Sequence, residues 1–316
     1  MPIPEFQDVP VVVTGGAGFI GSHLVDALVE RGAKVTVLDD LSNGFETNLA
    51  QVRDRIRFLR GDIRDPEACR EAIEGSRYVF HQAARGSVPR SMAEPVPTID
   101  INVRGTATVF DVCRHAKVSA VVYASSSSVY GDSAALPKRE GAEGRPLSPY
   151  AWSKVASEQL ADVFSRSFGM KLLGLRYFNV FGPRQDPSGP YAAVVPRFVA
   201  AFRGGTAPVI YGDGEQSRDF TYVSDVVLAN LLAAGAPEPA WGHAYNVAPG
   251  QATTVNQLAR AVREACGGGP EPRYEPPRRG DVLHSLADSS AARKGLGFEA
   301  QVSLAAGIER VVGSAR

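Results

Sequence analysis

Tyr150 and Lys154 stand one helical turn apart in Ser148-Pro149-Tyr150-Ala151-Trp152-Ser153-Lys154, so in a helix both side chains project from one face. A phenol is a poor base at neutral pH, and a neighbouring ammonium lowers its pKa by favouring the phenolate. The pair is a candidate for taking a proton from a hydroxyl. In a chain with ten tyrosines the spacing alone also arises by chance. Weight comes from Tyr123-Ala124-Ser125-Ser126-Ser127-Ser128-Val129-Tyr130-Gly131, which sets hydroxyls at the end of an apolar run, where sheet-edge crevices bind ligands. A serine there can bond a substrate and relay a proton. A plain polar turn accounts for one or two serines more comfortably than for four.

Earlier in the chain, Pro10-Val11-Val12-Val13-Thr14 runs straight into Gly15-Gly16-Ala17-Gly18-Phe19-Ile20-Gly21, a G-x-x-G-x-x-G spacing between a strand and a helix. Such glycines permit a tight turn and let the backbone approach a pyrophosphate, whose charge then sits at the positive helix N-terminus. Asp39 closes the next strand, 18 residues after Gly21, where a carboxylate accepts hydrogen bonds from adenosine ribose hydroxyls. It would repel a 2′-phosphate, which favours NAD over NADP. Asp62, in Arg60-Gly61-Asp62-Ile63, is expected either to flank the adenine or to cap the following helix.

The elements that must hold these groups alternate. Short apolar runs at 56–59, 78–81, 120–124 and 171–176 are interleaved with helical stretches at 66–73, 102–115 and 151–168. That order predicts an α/β fold, a Rossmann-type doubly wound parallel sheet. Glycine and proline cluster after Phe178 and again through 267–279, as in loops of a smaller lobe. Residues 224–234 and 244–247 again look helical and strand-like, so the two lobes are expected to interleave in sequence.

With 34 basic and 34 acidic residues among 316, the formal net charge is zero, and the basic patch of a nucleic-acid binder is missing. Cys69, Cys113 and Cys266 show neither disulfide nor metal spacing, so no metal is expected and the thiols are expected to be buried and free. No signal-like or membrane-spanning apolar run stands out, which gives a cytoplasmic, non-membrane expectation.

Taken together, from Val11 to about Phe298, the chain resembles the extended short-chain dehydrogenase/reductase family. Within it, the sequence is similar to bacterial UDP-N-acetylglucosamine 4-epimerases. Gly86-Ser87-Val88-Pro89-Arg90-Ser91, Arg176-Tyr177-Phe178-Asn179-Val180-Phe181-Gly182, Gln185-Asp186-Pro187, Tyr191-Ala192-Ala193-Val194-Val195-Pro196 and Gly280-Asp281-Val282-Leu283-His284-Ser285 carry that likeness. The resemblance implies a catalytic trio of Ser126, Tyr150 and Lys154. It implies NAD, tightly bound and regenerated each turnover, against Gly15, Gly18, Phe19, Ile20, Gly21 and Asp39. Asn43, Gly44, Asp62, Ile63, Ala83 and Ala84 complete the cofactor face, with Tyr150 and Lys154.

For a UDP-sugar it implies Asn179, Arg218 and Arg278 at the diphosphate, Asp281 at a ribose, Tyr211 against uracil, and Val194 nearby. Gly86, Ser87, Ser126, Ser127, Ser128, Tyr150, Gln185 and Ser285 would surround the sugar. Ser285 replaces the bulky tyrosine of hexose-only relatives, which leaves room for an N-acetyl group. The cofactor domain is expected over residues 1–178, with about 222–248 returning to it, and the nucleotide-sugar lobe over 179–221 and 249–316. A homodimer through the helices at 102–115 and 151–168 is implied by analogy.

The expected reaction is C4 epimerisation of UDP-GlcNAc and UDP-GalNAc, with weaker action on UDP-Glc and UDP-Gal, through a transient 4-keto sugar. Ser127 and Ser128 stand where a 4,6-dehydratase would need Asp-Glu and a decarboxylase Glu. A UDP-glucuronate 4-epimerase is the main alternative, although Thr would then be expected at Asn179. From another class, a catalytically silent NAD-binding sensor would lose the tyrosine or lysine, and both are present.

Overall fold

In the computed structural model, residues 2–187, 192–277 and 283–314 are described. Arg278, Asp281 and Tyr191 lie outside them. The chain begins β1 (Pro10–Thr14), α1 (Phe19–Glu30), β2 (Lys34–Asp39), β3 (Ile56–Arg60), α2 (Pro66–Ile73) and β4 (Tyr78–His81). Next come α3 (Val88–Ala93), α4 (Pro95–Ile99), a π-helical stretch (Asp100–Arg104), α5 (Gly105–His115), β5 (Ala120–Ser126), α6 (Pro149–Phe168) and β6 (Leu172–Tyr177). The remainder is β7 (Val180–Phe181), α7 (Val194–Arg203), β8 (Val209–Tyr211), β9 (Ser217–Asp219), β10 (Thr221–Tyr222), α8 (Val223–Ala234), β11 (Ala244–Val247), β12 (Ala252–Thr254), α9 (Val255–Ala265), β13 (Arg273–Glu275), α10 (Ser290–Leu296) and α11 (Leu304–Ser314).

Seven strands pair in parallel in the order β11-β6-β5-β4-β1-β2-β3. Successive residues of β1 point to opposite faces, and both faces are dry. Val11 and Val13 enter one core with Leu24, Leu28 and Val226, whereas Val12 enters the other with Val79, Phe110 and Val121. The strand order reverses between β1 and β4, which opens a crevice at their carboxyl ends. A separate core of Phe181, Phe198, Phe202, Ile210, Leu258 and Ile308 is built from later elements, around α7, α9 and α11.

The helix expected over 102–115 is interrupted. The backbone widens to a π turn over Asp100–Arg104, with Asn102 buried inside it, before α5 continues. The helix expected from 151 starts two residues earlier, because Pro149 suits the first helical position and Ser148 caps it by accepting from the Ala151 N–H at 3.1 Å. Asp62 does not cap α2. Asp65 does so, while Asp62 accepts from its neighbour Arg64 N–H at 2.8 Å and pairs with that guanidinium.

Candidate active site

A cavity of about 480 Å³ lies at the carboxyl ends of β1, β2, β4 and β5. Its walls bring together Gly15, Gly18, Phe19, Ile20 and Gly21 with Asp39, Asn43, Gly44, Asp62, Ile63, Ala83 and Ala84, and Gly86, Tyr150 and Lys154 stand beside them. The glycine turn is sterically obligatory. Gly15 has φ +70, and a Cβ there would lie 2.6 Å from the Ala83 nitrogen, while one on Gly21 would lie 2.1 Å from the Gly15 carbonyl. Gly18 offers no side chain to cap α1, so the amides of its first turn are left for a ligand.

Asp39 is buried and accepts from the N–H groups of Ala17 at 2.9 Å and Leu41 at 2.8 Å. Burial raises its pKa, and the two amides oppose that rise. Each carboxylate oxygen keeps a further lone pair for a ligand hydroxyl. A phosphate-seeking helix end at one side and a hydroxyl-seeking carboxylate at the other suit a dinucleotide.

At the inner end of this cavity Tyr150 occupies the first turn of α6, with Lys154 one turn later. Lys154 is buried, and Nζ donates to the Ala124 carbonyl at 2.8 Å. Burial pushes its pKa down to about 8, partly opposed by Glu158. Ser126 lowers the Tyr150 pKa, yet burial outweighs it and leaves the phenol above its ordinary value. The expected lowering by Lys154 is therefore not met in the chain alone. Nζ lies 5.9 Å from the ring centroid.

A second cavity, about 290 Å³, gathers Asn179, Gln185, Val194, Tyr211 and Arg218, with Arg197, Gln216 and an apolar wall from Phe181, Phe198 and Phe220. Among the described residues, the side-chain carbonyl oxygen of Gln185 is buried there without a hydrogen-bond partner. Ser87, Ser126, Ser127, Ser128 and Ser285 are on the walls of neither cavity. Ser87 caps α3, Ser127 and Ser128 form a tight turn after β5, and the Ser285 N–H donates to the Ser217 carbonyl at 3.1 Å, next to Arg218.

Several wall residues escape a sequence reading. Arg90 reaches the cofactor-sized cavity and donates to Asn43 at 2.6 Å; Tyr177 closes its floor, bonded to Gln82 at 3.1 Å and to Asn230. Arg90 lay within the quoted motif and was detectable. Gln82 follows β4 and Tyr177 ends β6, two strands apart in the sheet, so they meet only in the folded chain. Cys69 and Cys113 are buried and inert, with Cys69 pushed up to about 12 and Cys113 higher still by burial, whereas Cys266, also free, is only half-buried.

The family model for NAD-dependent epimerases and dehydratases matches residues 11–248. The chain belongs to the NAD-dependent epimerase/dehydratase family. It is 41% identical to a UDP-glucose 4-epimerase of Mycolicibacterium smegmatis, over 95% of this chain and 96% of that relative. It is also similar to the structure of a UDP-N-acetylglucosamine 4-epimerase from Methanobrevibacter ruminantium in complex with UDP-N-acetylmuramic acid, at 39% identity and TM-score 0.93, covering 98% of each chain. The structure of a Thermus thermophilus UDP-glucose 4-epimerase in complex with NAD matches at 37% identity and TM-score 0.88, over 97% of this chain and 98% of that one. As an enzyme of this family the chain uses NAD, and the glycine turn and buried Asp39 fit that cofactor. Among the described residues no helix is long and apolar enough to cross a membrane.

Proposed function

We propose that this family member is a cytoplasmic UDP-hexose 4-epimerase that interconverts UDP-GlcNAc and UDP-GalNAc and turns over UDP-Glc and UDP-Gal more slowly. The observation that carries the reading is the meeting of Tyr150 and buried Lys154, one helical turn apart, in the wall of the cofactor-sized cavity, with Ser126 lowering the tyrosine pKa from the end of β5. NAD, when bound, supplies reversible two-electron oxidation at the sugar C4.

The chain's own groups do the rest. Tyr150 takes the 4-hydroxyl proton, directly or through Ser126, and returns it to the 4-oxygen once the 4-keto sugar has turned over. Lys154 holds the nicotinamide ribose and keeps a positive charge near the phenolate. Burial holds the phenol above its ordinary pKa, and positive charge beside it, from Lys154 and from NAD when bound, would favour the phenolate. Asp39 takes the adenosine ribose. Arg218 and Asn179 hold the diphosphate, together with Arg278, Tyr211 lies along the uracil, and Asp281 takes the ribose. Gly86, Ser87, Ser127, Ser128, Gln185 and Ser285 surround the sugar. Anchoring the UDP and leaving the pyranose loosely held lets it present either face.

The amino-sugar preference draws support from the small side chain of Ser285 and from the UDP-N-acetylglucosamine 4-epimerase among its structural relatives. The chain is further proposed to pair with a second copy, for which the exposed Trp152 and Val163, which share one side of α6, supply apolar surface. Product analysis with UDP-GlcNAc, UDP-Glc and UDP-glucuronate, each offered separately, tests the reading. Isomerisation of UDP-GlcNAc fastest is expected. Turnover of UDP-glucuronate alone, or of none, overturns it.

A further inference from the structure

Thr14, His81, Asn102, Thr106 and Ser153 are buried, and none belongs to the catalytic trio. Their hydrogen bonds have only one consistent direction. Thr106 Oγ1 donates to the Asn102 carbonyl at 2.5 Å, because a carbonyl can only accept. Its remaining contact, 3.0 Å from His81 Nε2, must then be one in which Thr106 accepts, so Nε2 carries the proton. Burial and the charge of Lys154 hold the imidazole neutral, with its pKa pulled down to about 3, so Nδ1 is an acceptor. Nδ1 lies 2.7 Å from Thr14 Oγ1, which donates to it and in turn accepts from the Ala83 N–H at 3.3 Å.

Past Thr106 the path runs through Asn102 itself, from its backbone carbonyl to its side-chain amide. The Asn102 side chain accepts from the Arg85 N–H at 2.7 Å and donates to Ser153 Oγ at 2.9 Å, and Ser153 donates to the Tyr150 carbonyl at 2.7 Å. At one end stand the glycine turn and Ala83, in the cofactor cavity wall; at the other stands the turn of α6 that carries the phenol. The π turn at Asp100–Arg104 is what brings Asn102 into line.

We propose that His81, as the neutral Nε2–H tautomer, is a positioning residue whose hydrogen-bond wire holds the α6 turn bearing Tyr150 in fixed relation to the cofactor-binding strand ends. The proposal rests on Tyr150 acting as the base. Its geometric content is independent of that reading. Removing one link should leave substrate affinity alone and slow the step in which phenol, sugar and cofactor must be aligned, since small misplacements weigh heavily on rate.

Two measurements test it. Nitrogen-15 NMR of the imidazole in the NAD-loaded wild type at pH 7.5 should show a neutral ring protonated at Nε2; a ring protonated at Nδ1, or at both nitrogens, overturns the wire whatever the activity. With UDP-GlcNAc as substrate, Thr106→Val should lower kcat about tenfold with KM little changed, and Thr106→Ser, which keeps the hydroxyl, should restore most of it. Equal kcat in Thr106→Val and wild type, or equal losses in the two variants, also overturns it. Absence of turnover in the wild type would count against the epimerase reading alone, because the tautomer would still decide the wire.

Discussion

Lys154 Nζ is held 2.8 Å from the Ala124 carbonyl, so the one buried cation of the catalytic turn is tied to the end of β5. That single bond does not offset its desolvation, since burial draws the pKa from 10.5 down to about 8. The folded chain therefore binds fewer protons than the unfolded chain between about pH 8 and 10.5, and stability rises with pH across that window. Below it, the buried ammonium costs about 3 kcal/mol.

In the NAD-free chain, Lys154→Met should accordingly be more stable than wild type at pH 7, by about 2 kcal/mol once the lost bond to Ala124 is counted. The difference should shrink toward pH 10.5 as the wild-type amine is neutralised. Urea unfolding at pH 7 and pH 10 checks this. A variant less stable at pH 7, or a difference that ignores pH, would contradict the assignment of a strained cation kept for function.

Removing the phenol should stop the chemistry without emptying the site. Tyr150→Phe is expected to lower kcat by about 10²–10⁴-fold, with NAD content and UDP binding preserved. Ser126→Ala should cost less if the phenol can also reach the sugar directly. Since Ser126 lowers the tyrosine pKa, the acid limb of the activity profile should move to higher pH in that variant. Rates across pH 5 to 9 measure both effects, and an unchanged acid limb would mean that Ser126 does not act on Tyr150.

Ser285 offers a test of substrate size. Its backbone is registered against β9 through the bond to Ser217, beside Arg218, so a substitution there changes side-chain volume with little change of the chain path. Ser285→Tyr should lower kcat/KM for UDP-GlcNAc at least tenfold while UDP-Glc is retained, within the ~1–3 kcal/mol that such pocket changes command. Competition between the two substrates reads the ratio, and an unaltered preference would remove Ser285 from the sugar pocket.

The parts of the site that are local in sequence were legible before any fold was known. The glycine turn, Asp39 and the Tyr150–Lys154 spacing each depend on a few consecutive residues, and all of them meet in one cavity. Distances across elements were not legible. The turn from Tyr150 to Lys154 suggested direct electrostatic help, yet the ammonium turns to Ala124 and burial dominates the phenol. Asn102 looked like an ordinary helical residue, because nothing in its neighbours announces a π turn; its role arises from Arg85 and Ser153, which come from distant segments. Pro149 after Ser148 is a start signal visible in the sequence, and it begins α6 two residues before the apolar stretch at 151–168, which brings Tyr150 into the first turn.

Glu158 follows Lys154 by one more turn of α6, and its charge is the group that raises the lysine pKa. It is itself held by Arg176, which donates to both carboxylate oxygens at 2.9 and 2.8 Å, and by Ser125 Oγ at 2.5 Å. Glu158→Gln removes a negative charge near Lys154, so the ammonium should be lost at lower pH. The alkaline limb of kcat should move downward in pH relative to wild type, both measured with NAD bound. The same substitution leaves Arg176 with Glu143 as its remaining carboxylate, at a stability loss of about 1–3 kcal/mol that thermal unfolding would show. A loss of stability with no movement of the alkaline limb would make Glu158 a purely structural partner of Arg176, with the charge of Lys154 set by burial alone.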